Sequence, residues 1–330
     1  MQRPVRSIRA RALLLLAAAC LGGCASLGPA GFRTWQVEGV ADDTSVLVEG
    51  IPVRTGQIVV SEQGSPNSLF LSLLIAENHP YVHTGILVVE NGTPVVYEAN
   101  GRMQPSLFTR ELTSNVIGGM RRLELGTFLE QNRFVAIYDP PAGADRERIG
   151  RFAQDSLAAR LPFDAFFDRS DPSKVYCSEF TALALAAGGV PPTRTSPMTR
   201  NRSVGVILDW LHITTPDIIP PGAIIENARR VALVSRRDTP AQVAAYFAAK
   251  AELHRRFTPD QKLANVLYFS GLGGLKFQPE VQGFLDAVNQ DAGGWDGTPP
   301  DEISARVGAL AAERLGPFDP SLLANAADAR

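Results

Sequence analysis

HTGILVVENGTPVVYEA, residues 83–99, contains two runs rich in β-branched and apolar residues joined by Asn91-Gly92. Asn-Gly between such runs is the strongest short-range hairpin signal, because the favoured two-residue turn needs positive φ at both positions. The reading is two antiparallel strands over 84–90 and 93–98. If Asn91 and Gly92 are the whole loop, Glu90 pairs with Thr93 and the numbers of every directly opposed pair sum to 183. Glu98 then falls opposite Gly85, one diagonal step from His83. Side chains on one face of a strand recur every two residues, so His83 and Glu98 share a face within reach of each other. A bulge or a four-residue loop would move this register and break the inference.

Working outward, short apolar runs at 57–61, 133–138, 223–225 and 231–235 read as further strands. Segment 68–77 (SLFLSLLIAE) has helical length, is apolar nearly all round, and ends before Pro80. It reads as a core helix, or as the wall of an apolar substrate groove. Segment 145–159 has helical spacing with Ile149, Phe152 and Leu157 on one side. The run 175–187 follows the helix-start signal Asp171-Pro172-Ser173 and stops at Gly188-Gly189. Cys177 thereby sits in the first turn of a helix, where the positive end of the macrodipole lowers a thiol pKa.

The N-terminus bears on that cysteine. Four arginines, an apolar run over 12–21 and small residues after it have the layout of a secretory signal. The run is too short to span a bilayer, which takes about 20 apolar residues. Leu21-Gly22-Gly23-Cys24 resembles the bacterial lipobox, which implies that Cys24 becomes the lipidated first residue of the mature chain. Ala25 is not the aspartate that retains many such proteins at the inner membrane, so the resemblance points to the outer membrane, facing the periplasm. Of three cysteines, Cys20 leaves with the signal, Cys24 carries lipid and Cys177 has no partner for a disulfide. A lone thiol in an oxidising compartment is either an inert small hydrophobe or a reactive group. Removing 1–23 takes four basic residues and moves the formal charge from −2 to −6 (28 basic, 34 acidic), which leaves no basic excess for nucleic acid.

The expected organisation is a signal over 1–23, a tether and approach segment over 24–54 with a peripheral strand, a hydrolase domain over 55–236, and an all-helical appendage over 237–330. The appendage rests on two capping boxes with proline at the first helical position, at Thr239-Pro240-Ala241-Gln242 and Thr258-Pro259-Asp260-Gln261. Two further helices are expected around 279–290 and 301–315. Gly271-Leu272-Gly273-Gly274 reads as an interhelical turn, and the Ala- and Asp-rich tail as frayed.

Thiol catalysis needs a nucleophile held as thiolate, a base to exchange protons with it and a group that orients the base. Cys177, His83 and Glu98 are the candidates for those roles. Glu179 reads as a first-turn acid favoured by the helix dipole, or as a substrate contact. The ordered motifs His-x-Gly-Ile-Leu-Val, Val-Tyr-Glu-Ala and Tyr-Cys-Ser-Glu-Phe resemble the permuted papain-like amidases of the YaeF/YiiX type, circularly permuted relatives of the NlpC-type cell-wall peptidases. The resemblance covers 55–190 and continues weakly to 235. It departs at Gln57, where the family has aspartate, and at Phe163, where it often has tyrosine.

The resemblance implies an α+β, permuted papain-like fold with a small antiparallel sheet packed on helices. It also implies a Cys177–His83–Glu98 triad that cleaves an amide bond in peptidoglycan peptides or N-acylated lipids, with no metal and no cofactor. Kinship with lecithin retinol acyltransferases opens lipid acyl transfer or lipid hydrolysis as an alternative, and a catalytically silent, partner-binding lipoprotein is the third reading. His79 and His83 are four apart, but Pro80 between them argues against a metal-binding helix. No HExxH, paired CxxC, GxSxG or phosphate-binding loop occurs.

Overall fold

The computed structural model describes residues 33–103, 116–199, 201–235, 237–257, 261–270 and 274–318. The expected signal, lipidated Cys24, the first part of the tether, Thr258 to Asp260 and the tail from 319 lie outside these residues.

Alternating apolar runs produce the strands β1 (Arg33–Val37), β2 (Val46–Val48), β3 (Ile51–Val53), β4 (Gln57–Glu62), β5 (His83–Glu90), β6 (Thr93–Met103), β7 (Val116–Glu124), β8 (Phe134–Asp139), β9 (Ser196–Pro197), β10 (Asp217–Ile218) and β11 (Arg229–Ser235). Seven of them form one antiparallel sheet in the order β1-β11-β8-β4-β5-β6-β7. The helices before β11 are α1 (Pro66–Leu73), α2 (Leu125–Gln131), α3 (Arg146–Ala158), α4 (Cys177–Ala187), α5 (Arg202–Trp210) and α6 (Pro221–Ile225). After β11 come α7 (Pro240–Arg256), a 3₁₀ turn (Leu263–Asn265), the two-stranded sheet β12 (Leu267–Phe269) with β13 (Leu275–Phe277), α8 (Pro279–Ala292) and α9 (Pro300–Leu315).

The strand alternation sorts the sheet into two faces. Ile58, Val60, Ile86, Val88, Val95 and Tyr97 meet Ile149 and Ala153 of α3 and Phe180 and Ala184 of α4 in one core. By parity, Val59, Leu87 and Val96 point to the opposite face, all fully buried. There α2 packs on β6 and β7. A second core joins Leu69 and Leu73 of α1 to α5, α7, α8 and α9.

Residues 33–330 cluster as one compact unit, with β1 an edge strand of the main sheet paired with β11. Several expectations for single elements need correction. The segment 237–330 is not all-helical, because β12 and β13 form a hairpin closed by a bond from Ser270 N–H to the Gly274 carbonyl, 3.0 Å. Gly271 to Gly274 therefore joins two strands rather than two helices, with 271–273 outside the described residues. These strands are three residues each, too short to display alternation. Among the described residues, the segment after Thr258 holds a 3₁₀ turn in place of the expected helix. Residues 223–225 are helical in α6, which Pro221 opens as its first residue. The helix expected over 68–77 is α1, which Ser65 starts earlier through a capping box with Ser68 and which stops at Leu73.

Candidate active site

The hairpin has the expected register: Ile86 opposes Tyr97 and Glu90 opposes Thr93. Asn91 and Gly92 take φ of 49° and 81°, the paired left-handed geometry of a two-residue turn. β6 runs on to Met103, so its far half is free to pair with β7, where Glu98 opposes Arg121. Glu98 is fully buried, and each of its oxygens has a cationic partner. Oε2 meets Nε2 of His83, and Oε1 accepts from Nε of Arg121.

His83 is the first residue of β5, and its ring lies against Phe128 of α2 at a centroid distance of 6.3 Å. With Nε2 engaged by Glu98, Nδ1 is the ring nitrogen left over, and the Cys177 thiol lies close enough to the ring for each group to shift the other's pKa. Burial alone would lower the imidazole pKa, but the Glu98 charge and the Cys177 bond raise it to about 10. For Cys177, burial would raise the pKa, yet the His83 bond and charge, with backbone N–H groups of Thr84 and Ser178, bring it below its ordinary value. Glu98 follows the same pattern: burial opposes ionisation, and His83 and Arg121 hold its pKa below the usual carboxylate value. All three directions favour a thiolate beside an imidazolium, oriented by a carboxylate.

Cys177 is the first residue of α4, and Tyr176 caps the helix without a side-chain bond. Asp171 and Ser173 form a turn ahead of the helix instead of starting it. Glu179 lies in the first turn of α4; it is buried, its Oε2 has no hydrogen-bond partner, and burial raises its pKa to about 7. Tyr176 and Ser178 anchor the motif from both sides: the Tyr176 hydroxyl accepts from Ile219 N–H at 3.1 Å, and the Ser178 hydroxyl donates to the Ile219 carbonyl at 2.6 Å.

Sequence reasoning missed two threonines and an arginine. Thr84 and Thr181 both donate to the Cys177 carbonyl at 3.0 Å and meet each other at 2.8 Å. This clamp seats the start of α4 on the start of β5, beside His83. Arg121 is on a strand that was not expected. The two departures from the family pattern have local accounts. Gln57 is buried and bonds Asp139 at 3.1 Å and the Pro52 carbonyl at 3.2 Å. Phe163 packs so closely on Gly101 that a Cβ there would lie 2.4 Å from its ring.

The apolar segment 68–76 does not line this site; Leu69, Leu73, Leu74 and Ile75 are buried in the second core. His79 is buried against Gly222. Among the described residues, no three His, Cys, Asp or Glu side chains are grouped to hold a metal, and no helix is long and apolar enough to cross a membrane.

No family model matches the chain. No curated protein matches it. Among solved structures, the metalloprotein YiiX from Escherichia coli O157:H7 is a distant neighbour, 18% identical, covering 54% of this chain and 94% of its own, with a TM-score of 0.42.

Proposed function

We propose that the chain is a cysteine hydrolase that cleaves an amide bond through a thioacyl intermediate. The observation that carries this is Cys177 at the first position of α4, beside a histidine whose Nε2 meets a buried carboxylate. The thiolate attacks the carbonyl carbon, and the resulting oxyanion is met by the Cys177 backbone N–H, one of the helix's unpaired first-turn donors. His83 then gives its proton to the departing nitrogen, the C–N bond breaks, and a thioester remains on Cys177. Neutral His83 next takes a proton from water, whose oxygen attacks the thioester and releases the acid and the thiolate. Glu98 keeps the imidazole in register throughout both steps.

Peptidoglycan peptides and N-acylated lipids are the substrates we propose, reached by a chain lipidated at Cys24 and held at the outer membrane facing the periplasm. An acyl-transfer reading would gain from an apolar groove at the thiol, and the segment expected to form one is packed into the core. The test is mass spectrometry of the full chain after short incubation with N-acyl amino acid amides and stem peptides. We expect an acyl adduct on Cys177 that hydroxylamine removes and that Cys177→Ala lacks. Absence of an adduct from either substrate class, with free amine unreleased, would overturn the proposal.

A further inference from the structure

Residues 74–82 lead from α1 into His83, and those from 76 to 82 lie outside any helix or strand. His83 is the first residue of β5, so the strand ladder fixes it from its C-terminal side. Its other side depends on what holds this connection. Val82 N–H donates to the Ser61 carbonyl at 3.1 Å. Pro80 has no N–H, so its carbonyl is its one backbone polar group.

That carbonyl is held from much later in the chain. His254 Nε2 donates to the Ile75 carbonyl at 3.0 Å, Lys250 Nζ donates to the Pro80 carbonyl at 2.8 Å, and the Phe247 ring meets Tyr81 edge-on at 5.3 Å. Spacings of three and four put Phe247, Lys250 and His254 in one stripe of α7. The neighbouring stripe of Ala241, Ala245, Ala249 and Leu253 is buried in the second core. Lys250 also pairs with Glu62, which follows Ser61, the residue opposite His83 on β4. One buried cation thus ties the end of β4 to the approach to β5, just ahead of His83.

Stability does not account for this arrangement. Withdrawing two charges from water costs about what their attraction returns, and apolar side chains of similar volume are commonly as stable or more so. What the ion pair adds is direction. An ammonium carries donors that an apolar side chain lacks, and the Glu62 carboxylate accepts both from Lys250 and from the Tyr246 hydroxyl, the latter at 3.0 Å.

We infer that α7 positions the histidine of the triad, with Lys250 as the positioning residue: it fixes the backbone ahead of His83 so that the imidazole meets Glu98 and stays beside the Cys177 thiol. The inference rests on the reading of Cys177 and His83 as the reacting pair, and it gives the segment after 236 a part in the reaction.

The test is the pH midpoint of iodoacetamide labelling at Cys177, read by mass spectrometry of the Cys177 peptide, on full chains that are folded at every pH used. The native chain is set beside Lys250→Met, Lys250→Met with Glu62→Gln, and Val307→Ala. The last lightens the buried packing of α9 and leaves every bond from α7 to the connection in place. Both Lys250 variants should raise the midpoint by about one unit or more toward the free-thiol value of about 8.5, an about tenfold loss of thiolate below it. The double variant should regain urea stability over Lys250→Met, because the stranded charge is gone, yet keep the raised midpoint, because the Pro80 carbonyl still lacks its donor. Val307→Ala should lower the urea midpoint and leave the labelling midpoint unmoved. If Lys250→Met does not fold, the double variant carries the comparison. A low native midpoint that survives in the double variant, or that Val307→Ala raises as much, overturns the positioning role and leaves the triad standing. A native midpoint already near the free-thiol value sinks the triad, and the positioning role falls with it.

Discussion

At the scale of single residues, the arrangement divides the charge of one buried carboxylate between two cations, His83 and Arg121. Glu98→Gln keeps the shape and removes the charge. His83 should then fall back toward its ordinary pKa of about 6.5, and Cys177 labelling at neutral pH should slow by roughly tenfold or more. Linkage gives the matching stability profile. His83 has a raised pKa, so its contribution is fully present below its unfolded value and lost as pH rises through about 10. Glu98 has a lowered pKa, so its contribution is present above its unfolded value and lost as pH falls through the folded one. The stability gap between the native chain and Glu98→Gln should be widest near neutrality and narrow toward both extremes, which denaturant titrations across pH will read. Thr84→Val probes position instead of charge. It removes one bond to the Cys177 carbonyl and should cost about 1 kcal/mol, with slower labelling but an unmoved pH midpoint.

At the scale of elements, the hairpin is the part of the site most legible in the sequence. A two-residue Asn-Gly loop fixes every pairing behind it, so the His83–Glu98 proximity follows from counting. Gly92→Ala, at φ of 81°, should lower stability by about 1 kcal/mol in a urea titration, and labelling of Cys177 should slow because the same turn sets the triad's register. The helix that carries Cys177 was legible from the stop at Gly188-Gly189 and Pro191, but its first residue was not, because Asp171 and Ser173 close a turn and the helix begins at Cys177 itself. β7 was not. Its VIGGMRRLE contains adjacent glycines that blur the alternation, and its pairing is decided by β6 across a long connection. Arg121 was lost with it. The Thr84–Thr181 clamp gives no sequence signal either, because two isolated threonines 97 residues apart look like any others.

At the scale of the whole molecule, residues after 236 are built into the body that holds the site. Lys250 of α7 and Glu62 at the end of β4 form a fully buried ion pair. Tyr246 donates to the same carboxylate at 3.0 Å, and Lys250 also donates to the Pro80 carbonyl at 2.8 Å. A pair separated by 188 residues has no signature in sequence, which is why the segment reads as an appendage. Lys250→Met strands a buried carboxylate and should cost about 3–5 kcal/mol, measured by urea unfolding. Adding Glu62→Gln should recover part of that loss, because the uncompensated charge leaves with it.

The central claim is a thiolate at Cys177 held by an imidazolium at His83. Its most direct test is the rate of iodoacetamide labelling of Cys177 in the full chain as a function of pH, beside His83→Ala. The account predicts fast labelling that persists well below the free-thiol pKa of about 8.5 and is lost in His83→Ala. Slow labelling that rises only near that pKa, in both proteins alike, would contradict it.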